Sequence, residues 1–117
     1  YKLFVTVIGS PTSDSSNVKF GMVMDFDDLK KIVKSEIINE FDHSVIFNKN
    51  SPHKKLADDL IKNGHKVVLA DYQPTIEEMI IDFANKISSK LPVEIKLHSL
   101  KLEETETSYS EWFAADN

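Results

Sequence analysis

The chain has 117 residues with a formal net charge of -5, 41% apolar and 28% charged side chains, and no cysteine. This length allows one domain with a core of its own. The acidic balance argues against a phosphate-backbone partner, so no nucleic acid is expected. The missing thiols exclude a disulfide framework. No apolar run approaches the roughly 20 residues of a membrane span, and no leader pattern opens the chain, so the expected location is cytoplasmic without membrane attachment. Every cationic residue is a lysine, so any phosphate would be met by ammonium groups or backbone amides rather than a guanidinium fork.

Tyr1 to Ile8 alternates β-branched and aromatic residues, as a strand does. The Gly, Pro, Ser, Asp and Asn cluster from Gly9 to Asn17 predicts a turn. Val18, Phe20, Met22 and Met24 then alternate, which predicts a second strand over Val18 to Asp25 with these side chains in the core, completing a hairpin. Leu29, Ile32, Val33, Ile37 and Phe41 recur at helical spacing, with Asp27 and Asp28 favourably placed in the first turn. This helix delivers the chain to Asp42 and His43, a carboxylate and an imidazole among apolar residues. Such a pair is either a hydrogen-bonded corner or a tuned acid–base unit.

Leu56, Ala57, Leu60 and Ile61 predict a shorter helix stopped by Asn63-Gly64, and Val67 to Ala70 is a short strand-like run. Thr75 and Glu78 predict a capping box ahead of an apolar stripe of Ile76, Met79, Ile80, Phe83, Ala84, Ile87 and Leu91, ended by Pro92. Val93 to Glu104 and Tyr109 to Ala114 predict a closing hairpin. Its apolar register runs through odd positions to Leu97 and through even ones from Leu100, which implies a bulge near His98-Ser99. The next inward position in the new register is Glu104. A carboxylate there needs a donor, unless it ends the strand and reaches water.

Two hairpins and two main helices predict an α+β domain, a four-stranded antiparallel sheet with helices on one face. The other face would be covered by further copies of the chain. His53, His65 and His98 sit at no metal-like spacing.

GMVMDFDDLKK (21–31), FDHSVIF (41–47), PTIEEM (74–79) and LEETETSYSEW (102–112) resemble, in order and spacing, the motifs of the 6-pyruvoyl-tetrahydropterin synthase family, and most of all its bacterial 6-carboxy-5,6,7,8-tetrahydropterin synthase branch of queuosine biosynthesis. The resemblance spans the whole chain. It implies the tunnelling fold, with subunit sheets joined edge to edge into a barrel, and a homohexamer or other homo-oligomer with active sites at subunit interfaces. It implies a pterin substrate, 7,8-dihydroneopterin triphosphate, converted to 6-carboxytetrahydropterin, acetaldehyde and triphosphate. The alternatives are triphosphate elimination to the 6-pyruvoyl product, or a scaffold homologue without catalysis.

The resemblance assigns catalytic roles to His43, Asp42 and Glu104, and substrate contacts to Glu104, Thr105, Thr75 and Glu77. It also implies Zn2+ held by three histidines. The family's HGHxY pattern ends at the position of Tyr1, so those histidines and a cysteine base are expected upstream, and residues 1–117 are expected to be one domain without its zinc-binding strand. PTIEE has Glu78 where the family has asparagine.

Overall fold

The computed structural model describes residues 1–117. Strand β1 (Lys2–Ile8) leads through a long loop to helix α1 (Phe26–Val33), whose path continues through a π-helical segment (Lys34–Ile38) into a last turn, α2 (Asn39–Phe41). Next come β2 (Val45–Asn48), α3 (Lys54–Lys62), β3 (Val67–Ala70), α4 (Ile76–Ser88), and the hairpin of β4 (Lys96–Thr105) and β5 (Ser108–Phe113). A 3-10 turn, Ala114–Asp116, ends the chain. No helix is long and apolar enough to cross a membrane.

The class is α+β as expected, but the sheet differs in detail. The antiparallel sheet has three strands in the order β1-β4-β5, and a separate parallel pair joins β2 to β3. Val18 to Asp25 is not a strand. Side chains capture that segment in tight turns instead: Asp14 Oδ1 accepts from the Ser16 amide at 2.9 Å, and Asn17 Oδ1 from the Lys19 amide at 2.9 Å. Gly21 takes φ 83°, and Thr12 and Gly21–Met22 close the loop through backbone bonds of 2.8 and 2.9 Å. Short polar side chains that bond to nearby amides compete with a ladder, and here they win. The alternating apolar residues therefore fall outside the core, with Val18 93% exposed and Phe20 and Met22 exposed as well.

The bulge inferred from the register is present. Thr6 pairs with Ser99 and Val7 with Leu97, so His98 is the extra residue on β4. It turns Ile95 and Leu97 on one side, and Leu100 and Leu102 on the other, into the same buried layer. Helix α4 lies on that layer with its stripe of Met79, Ile80, Phe83, Ala84 and Ile87, and Ile37 joins from the π segment. Thr75 Oγ1 accepts from the Glu78 amide at 3.3 Å, half of the expected capping box. The other half is absent, because the Thr75 amide donates to the Gln73 carbonyl at 2.7 Å.

Only 13 residues are buried, and the radius of gyration is 17.0 Å with extents of 57 × 30 × 26 Å. A compact chain of this length would measure roughly 13 Å. Both edges of the three-stranded sheet lack a neighbour within the chain. Along β1 the outward residues Lys2, Phe4, Thr6 and Ile8 are exposed while Leu3, Val5 and Val7 face the core.

Candidate active site

A second register shift sets the geometry of the site. Glu103 pairs with Tyr109 and Thr105 with Ser108, so Glu104 is the extra residue of a second bulge. The even register that would have carried Glu104 inward stops at Leu102, and the carboxylate emerges exposed at the strand end. The bulge aims it into an open cleft of about 550 Å³ that also receives Thr75 and Glu77 from the start of α4, together with Tyr1 and Tyr109. Three of the residues singled out from sequence therefore meet although they lie nearly 30 positions apart.

Thr105 does not line this cleft. Its Oγ1 accepts from the Thr107 amide at 3.3 Å and lies 3.5 Å from the Thr107 hydroxyl, which braces the turn directly behind Glu104. Glu77 and Glu104 give the cleft two carboxylates, and no lysine lines it. Such a lining suits a ligand that presents N–H donors; a carboxylate can accept two parallel bonds from adjacent N–H groups.

Asp42 and His43 line a neighbouring cleft of about 480 Å³, mostly apolar, with Phe41, Met79 and Phe83 in its wall. Tyr1 borders both clefts. The pair is not a buried corner: its side chains are 60% and 92% exposed respectively. His43 Nε2 lies 3.6 Å from Asp42 Oδ2, an electrostatic contact beyond hydrogen-bond reach. His43 has φ 55°, a left-handed conformation uncommon for a residue with a β-carbon.

Behind this cleft lies a network that no apolar periodicity marks in advance. The Tyr72 hydroxyl donates to Asp82 Oδ2 at 2.7 Å, and the Lys86 ammonium bridges Asp82 at 3.2 Å and Glu40 at 3.1 Å. Lys86 also stands 4.7 Å above the Phe41 ring, which meets Phe83 edge-on at 5.0 Å. Burial raises the Tyr72 phenol far above its ordinary range, and the bond to Asp82 adds to this. Burial alone would lower the Lys86 ammonium, but its bonds to Glu40 and Asp82 outweigh that and raise it. The i,i+4 spacing of Asp82 and Lys86 was visible in the sequence; Tyr72 and Glu40 arrive only through the fold.

His43, His53, His65 and His98 lie on separate elements, and no three histidine, aspartate or glutamate side chains among residues 1–117 gather as a metal site. The zinc that the resemblance implies has no ligand set within these residues.

The fold and clefts define a small α+β domain that offers carboxylates, hydroxyls and one imidazole to a small polar molecule. A family model, 6-pyruvoyl tetrahydropterin synthase, matches residues 1–114, and the chain belongs to that family. Among curated proteins it is similar to a 6-carboxy-5,6,7,8-tetrahydropterin synthase of Haemophilus influenzae, 34% identical over 113 residues, which is 96% of this chain and 77% of the relative. The protein of the same name from Rickettsia typhi is 32% identical over 115 residues, 95% of this chain and 78% of the relative. That of Rickettsia conorii is 35% identical over 97 residues, 80% and 68%.

Proposed function

We propose that this chain is a 6-carboxy-5,6,7,8-tetrahydropterin synthase, a lyase that takes 7,8-dihydroneopterin triphosphate to 6-carboxy-5,6,7,8-tetrahydropterin with loss of acetaldehyde and triphosphate. The observation that supports it most is the meeting of Thr75, Glu77 and Glu104 in one cleft, in a chain whose relatives bear that name.

In this reading the Glu104 carboxylate accepts from the exocyclic amine and the adjacent ring N–H of the pterin, which fixes the ring plane. Thr105 keeps the turn behind it rigid. Thr75 stands at the cleft with a hydroxyl already committed to the helix cap, and Glu77 adds a second acceptor. The side chain at C6 then reaches toward the neighbouring cleft. There His43 takes and returns protons, and Asp42 stabilises its cationic form. Exposed imidazole suits this task because substrate must reach it.

Neither cleft is closed within one protomer. The extended shape, the small core and the two free sheet edges support association into a ring in which a neighbouring subunit completes the walls. Zinc belongs to the proposal as an ion with ligands other than residues 1–117, and metal analysis of the purified protein tests it.

Glu104→Gln tests the anchor. One carboxylate oxygen becomes an amide donor facing a donor on the ligand, so a charge-assisted bond worth about 1.5–3 kcal/mol is lost. KM should rise roughly 10- to 150-fold, at 1.4 kcal/mol per decade. Unchanged KM and turnover would remove Glu104 from the site. Acetaldehyde assayed in the same reactions separates the carboxy product from the pyruvoyl one, which forms without it.

A further inference from the structure

A helix ends with carbonyl groups that have no partner inside the helix. At the end of α2 three such carbonyls, those of Asn39, Phe41 and Asp42, are met by side chains. The Lys66 ammonium donates to the carbonyls of Asn39 at 2.7 Å and Asp42 at 2.8 Å. Ser44 Oγ donates to the Phe41 carbonyl at 2.6 Å. Glu40 is gripped through its side chain by Lys86 at 3.1 Å, whose ammonium also covers the Phe41 ring. Lys66 is itself anchored, because its carbonyl accepts from the Val45 amide at 2.9 Å, in line with the parallel pair β2-β3.

The helix reaches this point through the π segment Lys34–Ile38. One extra residue in a turn rotates everything after it by about 100°, and such segments recur at functional sites. Directly after the clamped residues, His43 adopts φ 55°. A residue with a β-carbon holds that conformation only where its surroundings impose it. The result is a turn held through the carbonyls of Asn39, Phe41 and Asp42 and the side chain of Glu40, followed by an imidazole that is left 92% exposed at the cleft. A staple that served only to join β3 to the helix would need neither the left-handed residue nor the free imidazole.

We propose that Lys66 is a positioning residue: by fixing the Asp42 carbonyl it sets the direction in which His43 enters the cleft. This rests on the reading of His43 as the proton-transfer group. Lys66 itself lines neither cleft and reaches the second one only through the Asp42 carbonyl, so it acts through the backbone and not on the substrate.

The test measures kcat, KM and melting temperature for the full-length protein with 7,8-dihydroneopterin triphosphate, in Lys66→Met, Lys66→Arg, His43→Ala and the His43→Ala/Lys66→Met pair. Lys66→Met should lower kcat roughly 10- to 100-fold, the scale of an ångström-sized misplacement, and leave KM within about twofold. Lys66→Arg, which still offers two N–H donors to the two carbonyls, should recover most of the rate. The double variant should be no slower than His43→Ala. Should Lys66→Met fail to fold, the same comparison is read on Lys66→Gln, which keeps one donor group. Full turnover in Lys66→Met beside an impaired His43→Ala overturns the positioning role alone. Full turnover in His43→Ala overturns both that role and the reading it rests on. A loss of rate that follows the melting temperature and is not rescued by arginine also overturns it, because Lys66 is then only a staple.

Discussion

Phe83→Ala probes the joint between core and site. Phe83 is 3% exposed, stands in the middle of the α4 stripe, and meets Phe41 edge-on at 5.0 Å. Truncating a buried phenylalanine costs about 3–5 kcal/mol, the sum of lost transfer energy and the cavity left behind. The edge-to-face pair accounts for roughly 0.5–1.5 kcal/mol of that. At about 0.05–0.15 kcal/mol per residue, a chain of this length has roughly 6–18 kcal/mol of stability, so the variant should fold but lose a large share. At about 4 °C per kcal/mol, the melting temperature should fall by roughly 12–20 °C.

Phe41 immediately precedes Asp42-His43, so loss of its partner ring should also slow turnover at temperatures where the variant remains folded. Urea unfolding at one fixed protein concentration, followed by circular dichroism, gives the free energy directly. Phe83→Leu, which keeps most of the apolar volume but no ring edge, should fall between wild type and alanine. A loss below about 1.5 kcal/mol in Phe83→Ala would refute the packing of α4 on β4 as the centre of the core.

Two further outcomes follow from the same structure. Tyr72 has its phenol raised by burial first and by Asp82 second, so its stabilisation is complete below the ordinary value of 10.0 and is lost as the pH rises beyond it. Urea midpoints between pH 7 and 11 should show a shallower alkaline decline in Tyr72→Phe than in wild type; parallel curves would exclude Tyr72 as a contributor. Thr75→Ala removes the 3.3 Å cap bond and should cost about 0.5–1 kcal/mol, whereas Thr75→Ser should cost little. An equal loss in both variants would assign the effect to the methyl group and not to the hydroxyl.

Much of the fold was legible because it is written in periodicity. The α4 stripe, the short helix α3, the closing hairpin and the bulge at His98 follow from apolar spacing that only one local structure can bury. The strand expected over Val18–Asp25 failed although its alternation was as clear as that of β1. Alternation shows what a strand could bury, but not whether a partner offers it a ladder. With Asp14 and Asn17 bonding to nearby amides and no sheet edge in place, the segment closed on itself. The parallel pair β2-β3 was missed for the opposite reason, since its partners are joined by a helical crossover that leaves no short-range mark.

The candidate site divides in the same way. Sequence by itself singled out the candidates: the Asp42–His43 pair after the first helix, Thr75 and Glu77 at a helix start, and Glu104 where an apolar register meets an acid. Only the tertiary structure decided that Glu104 turns outward at a second bulge to meet Thr75 and Glu77, and that Lys66 from another element clamps the turn before His43. Residue type is a local property of the chain, whereas the direction of a side chain depends on ladder register and on long-range bonds to carbonyls that any lysine in reach could make.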